Sequence, residues 1–161
     1  ASLFLEKAFE EYDNIRGRKG KKISVEDYTY RGKCALRLGK LIHSFNHINY
    51  AREDFENALE LKKDGFIYSQ LGETYFTLAH YYIPFKNIDK KINGFRRAAF
   101  YHLMSNKMGN TKQELYGMLA ETYMYLLNLE FTKRNANSRL LKQYIKGSIK
   151  HARKAISMER K

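Results

Sequence analysis

The hexapeptide QLGETY at residues 70–75 returns as MLAETY at 118–123, and RLGKLI at 37–42 echoes both. Set in one apolar frame, Tyr68, Leu71, Gly72 and Tyr75 correspond to Tyr116, Leu119, Ala120 and Tyr123, and to Ala35, Leu38, Gly39 and Ile42. Steps of three and four residues put each set on one stripe of a helix. A glycine inside a helix costs roughly 1 kcal/mol relative to alanine, so Gly39 and Gly72 need a compensating contact. A neighbouring helix that comes too close for a side chain supplies one, and Ala120 meets the same need at the third place. The chain is thereby constrained to pack helix on helix at three corresponding points.

Helical spacing continues nearly throughout, and strict two-residue alternation never persists, so the expected fold class is all-α. Seven helical segments are expected. The first covers about 2–14 with Leu5, Ala8, Phe9 and Tyr12 as its apolar stripe, and stops before the basic loop GRKGKK at 17–22. Ser24 reads as an N-cap with Asp27 three residues on, the spacing of a capping box, and opens a helix to about 44. A break at Asn46–Asn49 precedes a third helix over about 50–63, ended by Asp64-Gly65. The fourth covers about 66–83 and ends near the single proline, Pro84, which cannot donate to the helical ladder. The fifth, sixth and seventh cover about 90–108, 111–131 and 138–159.

The helix after each phrase also repeats. Ala51, Phe55, Ala58 and Leu61 form one stripe, and Phe95, Ala98 and Tyr101, then Ala152, Ala155 and Met158, match its last three members in spacing. The unit is a helix pair written three times behind a leading helix. Leu38-Gly39, Ile42, Ala51, Phe55 and Ala58 resemble the signature of the tetratricopeptide repeat, whose period is about 34 residues. Leu38 and Leu71 are 33 residues apart and Leu71 and Leu119 are 48, an insertion of about fourteen placed in a lengthened fourth helix and the IPFKNIDKK turn. The family's Trp and terminal Pro are absent. The resemblance implies a single domain over 1–161, an α-solenoid of antiparallel helix pairs: a leading helix and basic loop (1–24), then repeats at 25–64, 65–110 and 111–161.

At 161 residues and 43% apolar, the chain can bury one core. It contains no run of the roughly 18–20 apolar residues that span a bilayer. It opens at Ala1 without a signal-peptide pattern, as a processed protein or excised domain would, which leaves cytoplasm and bacterial cell envelope both open. The lone Cys34 makes no internal disulfide and reads as a small core filler. His43 and His47 have helical metal-ligand spacing but flank the expected turn and lack a third ligand, so no metal or other cofactor is expected. Glu73 and Glu121 recur in register as part of the repeat rather than as a catalytic pair, and GRKGKK lacks the Ser/Thr of a phosphate-binding P-loop. No enzyme activity is expected.

In the family, the first helices of successive pairs line a groove that receives a protein segment. By register, the resemblance puts Lys33, Leu36, Lys40 and His43 there from the first pair and Phe66, Ser69, Glu73 and Phe76 from the second. Gly117, Glu121, Met124 and Tyr125 come from the third. The implied activity is protein–protein binding or scaffolding, with a homodimer compatible with the pattern. A different reading rests on the net charge of +13, although an AT-rich genome also produces Lys-rich chains. In the last helix Arg139, Lys142, Lys146, Lys150 and Arg153 form a stripe beside an apolar one of Leu141, Ile145, Ile149, Ala152 and Ile156. Such a stripe can follow nucleic acid or an anionic surface, or simply be the solvated face of a terminal helix.

Overall fold

The computed structural model describes residues 2–17, 23–84, 86–133 and 135–159; the basic loop beyond Gly17 and the side chains of Leu5 and Tyr12 lie outside this description. Among the described residues the fold is helical and without strands. The elements are α1 (Ser2–Gly17), α2 (Val25–Leu41), α3 (Phe45–Leu61), α4 (Gly65–Thr77), a π-helical turn (Leu78–Tyr82), α5 (Ile88–Lys107), α6 (Gln113–Phe131) and α7 (Ser138–Glu159). No described helix is long and apolar enough to cross a membrane. The closest packing joins α2 to α3, α4 to α5 and α6 to α7. Each pair then rests on the next through α3 against α4 and α5 against α6, and α1 packs on α2.

Local chemistry sets the helix ends. Ser24 Oγ accepts the Asp27 N–H at 3.1 Å while the Ser24 N–H donates to Asp27 Oδ2 at 3.1 Å, completing the expected capping box. Asp64 caps α4 by accepting from the backbone N–H groups of Phe66 and Ile67. The break expected at Asn46–Asn49 is not there: both asparagines are inside α3, and the chain turns at residues 42–44. His43 has φ 51° and the Ser44 N–H reaches back to Gly39 O at 2.9 Å, which closes α2 in a Schellman-type turn with a histidine where glycine is usual. Polar composition suggests a loop, whereas the stop comes from one left-handed residue. At the end of α5, Gly109 (φ 88°) and the Asn110 N–H bond to Ser105 O do the same.

The repeated phrase has its expected cause. A Cβ on Gly39 would lie 2.6 Å from Ile48 Cδ1, and one on Gly72 would lie 2.7 Å from the His102 ring, so in both pairs the second helix occupies the side-chain space. The threonine of each ETY is fully buried, with Thr74 Oγ1 donating to Gln70 O (2.7 Å) and Thr122 Oγ1 to Met118 O (2.6 Å), so neither hydroxyl is left unpaired in the core. Gly117 is different: a Cβ there meets nothing within 4 Å. Gly117→Ala should therefore raise the melting temperature by a few degrees, since it gains about 0.5–1 kcal/mol of helix propensity. Gly39→Ala and Gly72→Ala should lower it, because overpacking costs about 1–3 kcal/mol. A thermal melt of the three variants checks both signs.

The second helices depart from the expected register. Tyr101, Ala152, Ala155 and Met158 are only half-buried and Leu61 is exposed. The residues buried in α5 include Phe95, Ala98, Ala99 and His102; those in α7 are Tyr144, Ser148 and His151. His102 covers Gly72 as Ile48 covers Gly39, and His151 stacks on Tyr116 and Tyr123, which flank Ala120 on their stripe. Counting only apolar letters hides the match, because two histidines stand where the first pair has an aliphatic residue. Consequently the apolar stripe of α7 is turned outward: Ile145, Ile149 and Ile156 are 42–50% exposed.

Candidate partner-binding face

Two buried clusters position the face built by α2, α4 and α6. One gathers Ala35, Leu36, Ile48, Phe55 and Leu71, the other Ala79, Ile92, Phe95, Leu126 and Tyr144, and Phe76 packs against both. Leu36, expected in the groove, is a core residue at 2% exposure, because its step along α2 faces the interior. Six of the remaining candidates meet in pairs across neighbouring first helices. Lys33 Nζ lies 5.5 Å from the Phe66 ring centre and Lys40 Nζ is 2.7 Å from Glu73 Oε1, both joining α2 to α4. Phe76 meets Tyr125 edge-on at 5.5 Å, joining α4 to α6.

The π turn shapes the middle of this face. Ile83 N–H bonds five residues back to Leu78 O, and Pro84 has no N–H to offer Ala79 O. Lys91, buried on α5, fills the gap: its Nζ donates to Ala79 O at 2.6 Å and to His80 O at 2.9 Å. Burial holds the Lys91 ammonium below its usual pKa. The turn sets His80 beside Phe76 and Tyr125, with Tyr125 Oη and His80 Nε2 sharing a 2.6 Å hydrogen bond. Burial first, and then the Lys91 charge, pull the His80 pKa down, against a smaller opposing pull from Glu121. Tyr125 in turn stacks on Phe95 at 4.9 Å. His80 is not among the candidates drawn from the sequence, although it lies one helical turn from Phe76 on the same stripe.

Exposure separates anchors from supports. Phe76 and Tyr125 are half-buried and hold α4, α5 and α6 together, whereas Phe66 (40% exposed) and Met124 (46%) reach the surface. Lys40, His43, Gly117 and Glu121 are exposed; Lys33, Ser69 and Glu73 are intermediate. The face thus presents cations at the α2 end, an ion pair, an aromatic centre and a carboxylate with a thioether at the α6 end. His43 and His47 do not combine: the first caps α2, while His47 Nδ1 lies 2.8 Å from Ser44 Oγ and its ring edges onto Phe9. Among the described residues no group of three His, Cys, Asp or Glu is placed to share a metal ion. Cys34 is half-buried rather than core, and burial pushes its thiol pKa up.

The other candidate surface is α7. Arg139, Lys142, Lys146, Lys150 and Arg153 are all exposed, and among the described residues none makes an ion pair. Sequence reasoning misses one strong interaction altogether. Arg31 and Asp54, 5% and 1% exposed, form a two-pronged buried ion pair between α2 and α3, with Arg31 Nε 2.7 Å from Asp54 Oδ2. No family model, curated protein or solved structure matches the chain, so the surfaces themselves carry the functional argument.

Proposed function

We propose that the chain is a tetratricopeptide-like α-solenoid module that carries out no chemistry and binds a segment of a protein partner on the face of α2, α4 and α6. The observation that supports this most is the run of contacts Lys33–Phe66, Lys40–Glu73 and Phe76–Tyr125, which sets successive first helices side by side in chain order. Exposed Phe66 and Met124 offer apolar anchors between charges of both signs, the composition expected of a protein-binding surface. The occupant is a mixed-charge segment with apolar side chains spaced to reach both.

A photo-crosslinking residue at 66 or 124 should capture the same protein from a lysate of the source cells, and one at Phe131 on the exposed end of α6 should not. Phe66→Asp with Met124→Asp should weaken that capture at least tenfold, about 1.4 kcal/mol or more, without lowering the melting temperature. Phe76→Ala and Tyr125→Ala are poorer probes, since both rings support Phe95. Unchanged capture by the double Asp variant sinks the reading.

The exposed cations of α7, which make no ion pair among the described residues, favour a second reading, a module that binds nucleic acid through Arg139, Lys142, Lys146, Lys150 and Arg153. It requires captured material that is nuclease-sensitive and elutes steeply with salt, as counterion release dictates.

A further inference from the structure

One part of α7 differs from the rest of its basic stripe. Lys150, Arg153 and Lys154 line a cleft of about 500 Å³ between α5 and α7, floored by Tyr116 of α6, whereas Lys142 and Lys146 do not line it. Among the described residues no acidic side chain lines the cleft. Lys150 and Lys154 are four residues apart and Lys150 and Arg153 three, so like charges repel within one helical turn, a cost to the helix when nothing lies between them. Lys154 Nζ stands 6.0 Å from the centre of the Tyr116 ring. The Tyr116 phenol donates to Asn106 Oδ1 at 2.8 Å, which leaves the Asn106 amide N–H groups as donors at the cleft. At the floor, burial and then the Lys150 charge lower the His151 pKa, so the positive field reaches the cleft interior. Leu103 supplies an apolar wall.

Three cations lining one cleft, neutral donors and an apolar wall in a volume typical of small-molecule sites carry the inference. We propose that the α5–α7 cleft binds a small ligand bearing two or more phosphate groups, of the size of a nucleoside di- or triphosphate. The phosphates lie among Lys150, Arg153 and Lys154, where a bound polyanion turns mutual repulsion into attraction, and any ring or sugar lies against Leu103 and the Tyr116 edge. The site shares no residue with the partner-binding face and is independent of that proposal.

Isothermal titration of the intact chain with ATP and, separately, with inorganic tripolyphosphate tests it. Saturable binding of at least one is expected, and tighter binding of ATP than of tripolyphosphate identifies the nucleoside form; the reverse identifies the inorganic one. Lys150→Gln with Lys154→Gln should weaken binding at least tenfold, while Lys142→Gln with Lys146→Gln, which removes equal charge outside the cleft, should change it less than threefold. All four side chains are exposed, and the melting temperature of each variant verifies that the fold is kept. Absence of saturable binding by both ligands at millimolar concentration, or equal losses in the two double variants, overturns the proposal.

Discussion

Asp54→Ala is expected to lower the unfolding free energy by about 3–5 kcal/mol, as removal of one partner from a buried ion pair does. Asp54 is 1% exposed and accepts from the Arg31 guanidinium on two oxygens, so deletion of the carboxylate leaves a cation with 5% exposure inside the α2–α3 pair. Arginine remains charged at any pH a protein survives, which closes off the usual escape of losing the charge. The Tyr28 ring lies 5.8 Å from the guanidinium centre. Urea denaturation of the two proteins measures the difference directly. The double variant Arg31→Met with Asp54→Leu should recover most of the loss, because an apolar pair of similar volume avoids the desolvation of both ions. A loss below about 1 kcal/mol in Asp54→Ala would show that the pair is solvated in solution.

Acid should destabilise the chain well before its carboxylates titrate, and His102 is the reason. Its ring is fully buried against Gly72, neither ring nitrogen has a hydrogen-bond partner among the described residues, and burial lowers its pKa from the usual 6.5 to about 4. The folded state therefore binds this proton less readily than the unfolded state does. The contribution to stability is complete above pH 6.5, declines as pH falls, and is lost below pH 4, on the order of 3 kcal/mol in all. His151, also lowered by burial, acts in the same direction. His102→Leu puts an aliphatic side chain over Gly72, much as Ile48 covers Gly39. It should flatten the dependence of the urea midpoint between pH 6.5 and 4. An unchanged slope in this variant would move the acid sensitivity elsewhere.

Several elements are legible in the amino-acid order because they depend on neighbours in the chain. The capping box at Ser24, the cap at Asp64 and the stop before Pro84 follow from backbone groups that only adjacent residues can satisfy. The small residues at 39 and 72 are legible too, since a mid-helix glycine is costly unless something presses on it. The turn at His43 is not, because a left-handed histidine has no compositional signal beyond its own letter. The π turn depends on Lys91, a residue eleven positions after His80 that completes the turn only once α5 folds back.

The candidate face divides along the same line. Register alone puts Lys40, Glu73, Phe76 and Tyr125 on the first helices of successive pairs in expectation, whereas the contacts Lys40–Glu73 and Phe76–Tyr125 come from the tertiary structure. Register does not separate Leu36, which is core, from Met124, which is exposed, since both carry the same apolar character.

By itself the amino-acid order determined the helices, most of their ends and the places where two must approach closely, all of which are set by local geometry and helical period. The tertiary structure alone decided that His102 and His151 are buried, that Arg31 finds Asp54, that the isoleucines of α7 face outward and that three of its cations line a cleft. Each of these depends on which side of a helix a distant element covers, and a polar side chain states only that it needs a partner or a neutral form, never where either will be found.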